Sequence, residues 1–142
     1  MDAANADYCR GQYTAFNKGI DERMEGWKAK LDKFQGQPVV TYHENYAYFE
    51  RRFGLYNFGQ MEPRPGIPPS ASHVSNLVER MKKGNVKAVV IESICPTRWP
   101  EFLKRQANIN YVVAPYSVSG MEAGDYYQFV DTLVDDFAQA LS

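Results

Sequence analysis

Four short apolar or β-branched runs, each followed by a helical pattern, constrain the fold of this chain most strongly. The runs cover residues 39–42, 55–61, 86–91 and 109–114. Strands that alternate with helices predict an α/β fold with a parallel sheet, because parallel strands need long crossover connections. Right-handed crossovers and the commonest doubly wound arrangement predict a four-stranded sheet with the strand order 2-1-3-4, flanked by helices.

Apolar residues at spacings of three and four predict the helices between and after these strands. We expect helices over residues 45–53, from Ser70 or Ser72 to Gly84, after Thr97, and over residues 125–141. Gly59 lies inside the second strand and indicates a β-bulge. Residues 63–69 form a proline-rich connector that can be neither a helix nor a central strand.

A long helix precedes the first strand. Residues from about 7 to 35 carry one apolar stripe, made of Tyr13, Phe16, Ile20, Met24, Trp27, Leu31 and Phe34. Gly36 and Pro38 end the helix. At 1.5 Å per residue its length is roughly 42 Å, which exceeds the width of a small lobe. We therefore divide the chain into a long N-terminal linking helix, residues 1–36, and an α/β lobe, residues 37–142.

Three glycines, Gly11, Gly19 and Gly26, lie inside this helix. Each costs up to ~1 kcal/mol relative to alanine in a helix. Two explanations stay open at this point. Either the glycines are simply tolerated, or the helix packs closely along something larger than the present chain.

The composition limits the classes of function. The 142 residues are 44% hydrophobic, enough for one good core, and the net charge of −1 argues against a nucleic-acid partner. No apolar run approaches the ~20 residues that span a bilayer, and the N-terminus lacks a basic and then apolar export signal. We expect a chain that is soluble as it stands, with any export signal upstream of it.

The predicted strand order brings His43 and Glu92 to one edge of the sheet. His43 follows the first strand and Glu92 follows the third, and ligands of open α/β sheets bind at the carboxyl edge between two such strands. A neutral, oriented histidine can bind a metal ion. Glu92 can orient the imidazole, coordinate directly, or pair with a surface lysine. Glu44 can accept backbone amides at the following helix N-terminus or serve only the helix dipole.

The two cysteines, Cys9 and Cys95, are too far apart for a CxxC motif. They are two buried thiols or one long-range disulfide, and we favour free thiols. Cys95 follows the third strand and precedes a helix, where a nucleophilic thiol paired with His43 would define a small redox or hydrolytic enzyme. For His73 we expect no role. Zinc sites need about four ligands, so this chain supplies half a site.

Three segments resemble one known family. Residues 40–55 (VTYHENYAYFERRFGL), 62–70 (EPRPGIPPS) and 90–93 (VIES) look like the C-terminal lobe of zinc/manganese ABC-transporter solute-binding proteins. The resemblance covers essentially the whole chain. It implies two α/β lobes with the metal ion between them, of which the N-terminal lobe, with two ligands, is absent here.

The resemblance also implies roles for particular residues. His43 corresponds to the ligand at the end of the first strand of the lobe, and a histidine there favours zinc over manganese. Glu92 matches an acid that lines the cleft near the metal. The family's further ligand, an aspartate after the last strand, has no counterpart in residues 115–120.

The resemblance implies a metal-binding protein, not an enzyme, that passes zinc to an ABC permease. It would be periplasmic or anchored to the membrane at the cell surface. Part of the stripe on the linking helix should then be exposed in this chain, so that the helix bends back or the chain forms a homodimer. A metal-independent, adhesin-like interaction module stays open as a further alternative.

Overall fold

The computed structural model describes residues 3–121 and 124–142. Its helices and strands are α1 Ala6–Leu31, β1 Pro38–Thr41, α2 Ala47–Arg52, β2 Tyr56–Gln60, α3 Ala71–Lys83, β3 Ala88–Glu92, α4 Arg98–Ala107, β4 Asn110–Ala114 and α5 Tyr126–Leu141. Short 3-10 turns cover Ala3–Asn5, Asp32–Phe34 and Val118–Gly120. No helix in the described part of the chain combines the length and apolar character needed to cross a membrane.

The strands form one parallel sheet in the order β2-β1-β3-β4, which confirms the predicted architecture. Val39 pairs with Asn57 and Val40 with Gly59, so one residue of β2 has no partner between them. The β-bulge predicted at Gly59 is therefore confirmed. Because β1 and β3 are both interior strands, their carboxyl ends lie side by side at the middle of one edge.

Helices cover both faces of the sheet, and successive strand residues point to opposite faces. On one face, Val39 and Val90 pack in a core with residues of α1 and α5, including Leu31 and Phe137. On the other, Val40 packs with residues of α3 and α4. This coverage explains why β3 is buried along its whole length.

The apolar stripe of α1 is buried only toward its C-terminal end. Trp27, Leu31 and Phe34 belong to the core, whereas Tyr13 is 70% and Phe16 is 41% exposed. Part of the stripe is thus exposed, as expected. One α-helix of 26 residues carries the stripe as far as Leu31, and Phe34 lies in the 3-10 turn that follows. Residues 1 and 2 of the predicted linking helix lie outside the described residues.

Gly19 allows a close approach between α1 and α5. A Cβ atom at Gly19 would lie 2.5 Å from the hydroxyl oxygen of Tyr127, and that hydroxyl donates a hydrogen bond to the Phe16 carbonyl. Gly11 and Gly26 face open space. The contact at Gly19 is therefore explained within the chain, and no larger neighbour is needed for it.

Local signals set the ends of several helices. The Ser70 hydroxyl accepts a hydrogen bond from the His73 amide at the start of α3, which selects Ser70 over Ser72 as the cap. Asp125 and Gln128 form a capping box at the start of α5. The predicted bounds of α2, residues 45–53, were wrong. The helix has only six residues, Ala47–Arg52.

Candidate metal site

The carboxyl edge of the sheet brings together side chains from three chain segments. His43 lies two residues after β1, Glu62 two residues after β2, and Glu92 is the last residue of β3. Cys95 lies in the turn that follows Glu92. Because parallel strands end at the same edge, these segments meet beside the imidazole of His43.

The Nδ1 side of the imidazole faces a buried carboxylate. Glu92 is 1% exposed, and its Oε2 lies 3.2 Å from His43 Nδ1. The Asn45 side-chain amide donates to Glu92 Oε1 at 3.0 Å, and the Cys95 thiol donates to Oε2 at 3.1 Å. These contacts hold Glu92 within the site and leave no place for the surface lysine considered from the sequence.

His43 and Glu62 both line an open depression of about 530 Å³. Glu44, Asn45 and Tyr116 contribute to its walls, and Glu92 is not among its lining residues. Glu62 Oε2 lies 3.5 Å from His43 Nε2. The His43 side chain is 27% exposed, and its two nitrogens face different carboxylates: Glu92, which is 1% exposed, at Nδ1, and Glu62, which is 13% exposed, at Nε2.

The backbone around His43 is fixed by hydrogen bonds. The buried Thr41 hydroxyl donates to the His43 carbonyl at 2.7 Å. The Met61 and Glu62 amides donate to the Thr41 and Tyr42 carbonyls at 2.9 and 3.0 Å, so the pairing of the two segments continues beyond the strands. This pairing holds Glu62 alongside His43.

Both cysteines are free thiols, as expected, although Cys9 is exposed and the prediction that both are buried was wrong. Burial, with a further contribution from Glu92, raises the pKa of the Cys95 thiol to about 12. The thiol of Cys95 therefore stays protonated near neutral pH, where it donates its hydrogen to Glu92. A protonated thiol is a poor nucleophile.

Glu44 does not occupy the position predicted for it. It is exposed and lies three residues before α2, so it is not in the first turn of that helix. Its negative charge contributes to a raised pKa at Glu50, where burial is the main cause and a hydrogen bond from Asn57 acts in the opposite direction. The His73 ring lies at the end of β2, with Nε2 3.1 Å from the Gln60 carbonyl, and the described residues show no hydrogen bond or ion pair between it and His43, Glu62 or Glu92.

Sequence reasoning missed Glu62 and Asn45, and it considered Cys95 only as a nucleophile. Glu62 had a usable signal, since it follows the second strand just as His43 follows the first, and those strands are neighbours in the predicted order. The hydrogen bonds of Asn45 and Cys95 to Glu92 had no comparable signal, because they depend on how two loops turn.

The donor set matches the chemistry of a zinc site. Imidazole nitrogen and carboxylate oxygen are both common zinc ligands. His43 Nε2 and Glu62 Oε2 lie 3.5 Å apart, and both residues line the open depression, where further ligands could approach. The edge can therefore contribute part of a coordination shell.

The fold is that of solute-binding proteins. The SBP FpvC from Pseudomonas aeruginosa, solved in complex with Mn²⁺, is 25% identical, with a TM-score of 0.79, over 99% of this chain and 52% of its own. The laminin-binding protein Lmb of Streptococcus agalactiae, described as having adhesin and metal transporting activity, is 20% identical. It gives a TM-score of 0.84 over 99% of this chain and 55% of its own.

Sequence comparison defines the family more closely. The high-affinity zinc uptake system protein ZnuA of Haemophilus ducreyi is 22% identical over 132 residues, which are 90% of this chain and 42% of that protein. The model of the ZnuA family, zinc-uptake complex component A, periplasmic, matches residues 1–140. The chain belongs to this family, which confirms the resemblance, and it spans about half the length of these relatives.

Proposed function

We propose that the chain is the C-terminal lobe of a zinc-binding solute-binding protein and that His43 binds the metal ion through Nε2. The observation that carries this proposal is the position of the imidazole. Nδ1 lies 3.2 Å from the buried Glu92 carboxylate, and Nε2 lies 3.5 Å from Glu62, which lines the open depression together with His43.

Glu92 acts in this proposal by orienting the ring. Histidine ligands of metal ions commonly donate their other N–H to a carboxylate, which fixes the tautomer and makes the binding nitrogen more basic. With Nδ1–H donating to Glu92, Nε2 keeps its lone pair for the metal ion. We assign no ligand role to Glu44, which is exposed on the wall of the depression.

Zinc is the proposed solute. The family is described by zinc uptake, and the curated relatives carry the same description. A histidine at the end of β1 suits Zn²⁺ better than Mn²⁺, which prefers oxygen ligands. The solved relative FpvC holds Mn²⁺ in one structure and Ni²⁺ in another, so neighbours in fold accept more than one metal.

The proposed partners follow from the family. An ABC permease would receive the zinc, and an N-terminal lobe joined through the linking helix, residues 1–36, would supply the remaining ligands. The family description supports a periplasmic location, and membrane anchoring is part of the proposal. A homodimer through the exposed end of α1 stays a prediction.

Two other functions have less support. The raised pKa of Cys95 argues against an enzyme that uses a Cys95–His43 nucleophile. The laminin-binding neighbours share the fold at 18–20% identity, which supports no adhesin activity for this chain.

Zinc titration calorimetry tests the role of His43. We expect His43→Ala to abolish measurable zinc binding, because it removes the nitrogen that faces the depression. His73→Ala is the matched control, since the His73 ring contacts the Gln60 carbonyl and not the side chains around His43, and it should bind zinc as the unmodified chain does. Zinc affinity unchanged in His43→Ala would overturn the proposal.

A further inference from the structure

We infer that Glu62 is a second metal ligand within this chain, binding through Oε2 the same ion that His43 binds through Nε2. This inference rests on the proposed function. It adds a carboxylate from the proline-rich connector to the site.

The distance between the two atoms suits a shared ion. Glu62 Oε2 and His43 Nε2 are 3.5 Å apart. Two nitrogen or oxygen ligands at about 2.0–2.2 Å from one Zn²⁺, at a tetrahedral angle, are separated by roughly 3.3–3.5 Å. An ion can therefore bridge the two side chains with almost no movement of either.

The Glu62 side chain is held in place before any ion binds. The backbone amide of Glu62 donates to the Tyr42 carbonyl, and the side-chain Oε1 accepts a hydrogen bond of 3.0 Å from the Gly66 amide. Gly66 adopts a left-handed backbone conformation with φ of 79°, which favours glycine and closes the turn against Glu62. One carboxylate oxygen is thus anchored, and the other is left facing His43.

The charge of Glu62 lacks a permanent counterion. The side chain is only 13% exposed, and among the ion pairs of residues 3–121 and 124–142 its partner is His43, with no lysine or arginine. Charged groups with little exposure are usually paired or bind metal ions. Residues 115–120 contain no acid, and Glu44 is exposed, so Glu62 is the constrained carboxylate on the open side of the ring.

The test compares Glu62→Gln with Glu79→Gln. Glutamine keeps the oxygen that accepts from the Gly66 amide but removes the charged ligand. We expect Glu62→Gln to weaken Zn²⁺ binding by roughly 10-fold or more in calorimetry and to change the visible d–d spectrum of bound Co²⁺. Glu79→Gln, which removes an exposed acid of α3 outside the depression, should leave both the affinity and the spectrum essentially as in the unmodified chain.

The outcomes separate this inference from the proposed function. If Glu62→Gln matches the unmodified chain in affinity and cobalt spectrum while His43→Ala does not bind, Glu62 is no ligand and the proposed function stands. If His43→Ala also binds normally, the proposed function fails. Weaker binding with an unchanged cobalt spectrum would make Glu62 a positioning residue and would overturn the inference as well.

A second variant covers the case in which Glu62→Gln unfolds, which circular dichroism detects. Glu62→Asp keeps the carboxylate with a shorter reach. We expect it to bind zinc more weakly than the unmodified chain and to give a shifted cobalt spectrum. Affinity and spectrum unchanged in Glu62→Asp would contradict a direct bond from Oε2.

Discussion

Glu92 is the residue on which the geometry of the edge depends. It is nearly inaccessible, and Asn45, Cys95 and the His43 ring all contact its carboxylate. A buried carboxylate needs such partners, because an uncompensated charge in the interior is costly. Burial, with a further contribution from Glu92, raises the pKa of the Cys95 thiol and keeps it protonated. In the proposed function, Glu92 also orients the imidazole.

Asp136, a half-buried acid on α5, is not part of the edge and predicts a pH-dependent stability. Its Oδ2 is buried without a hydrogen-bond partner among the described residues. Burial, with a further contribution from Asp135, raises the pKa of Asp136 from 3.8 to about 6. The folded state therefore holds this proton more tightly than the unfolded state does. The stability that Asp136 contributes is full below pH 4 and is lost as the pH rises through about 6.

Asp136→Asn should therefore raise the melting temperature at pH 8 and change it little at pH 4. Thermal unfolding followed by circular dichroism at both pH values measures the difference. Asp21→Asn, at an exposed position of α1, is the control and should show no such dependence. An equal shift at both pH values would contradict the role assigned to the Asp136 charge.

At the scale of elements, the end of β2 and the connector after it determine the open side of the site. The connector is rigid because of its prolines, and its turn at Gly66 anchors the Glu62 carboxylate. The continued pairing of segments beyond β1 and β2 holds the connector beside His43. The segment predicted from the sequence as a proline-rich connector therefore also anchors one oxygen of the Glu62 carboxylate.

The contact between α1 and α5 predicts opposite effects for two glycines of one helix. Gly26→Ala adds a methyl group in open space and should stabilise the fold by up to ~1 kcal/mol through helix propensity. Gly19→Ala should destabilise the fold, because the new methyl group would displace the Tyr127 ring. That ring stacks on the ring of Phe16, and its hydroxyl donates a hydrogen bond to the Phe16 backbone carbonyl. Urea unfolding of the two variants measures this, and a similar gain in both would show that the Tyr127 ring moves aside freely.

At the scale of the whole molecule, the residues to which the proposed function assigns metal binding lie at one edge of the sheet. His43, and Glu62 by our inference, border an open depression, and residues 115–120 add no acid. A tetrahedral zinc shell needs about four ligands. The rest must come from water or from a second surface that faces this edge.

This incompleteness predicts weak zinc binding by the chain alone. Zinc affinity should be at least about 100-fold lower than that of a full-length, two-lobed member of the family, because part of the coordination shell is missing. Competition titration with a chelator of known affinity, applied to both proteins, measures the ratio. Equal affinities would contradict the idea that this lobe supplies half a site.

The sequence by itself determined the architecture. The strand order and the bulge at Gly59 follow from periodicity, connection rules and turn chemistry, which act over a few residues or limit topology strongly, and the same rules narrowed the cap of α3 to Ser70 or Ser72. The same rules brought His43 and Glu92 to one edge. They failed for Glu44, because α2 begins later than its pattern indicates.

Only the tertiary structure decided how the edge is built. The contacts of Glu92 with Asn45, of Glu62 with His43 and of Gly19 with Tyr127 join residues far apart in sequence. Hydrogen bonds and metal coordination tolerate only a few tenths of an ångström, and that precision comes from packed elements and turned loops. Residue patterns carry no information at this precision, so the sequence predicted the place of the site and the fold supplied its geometry.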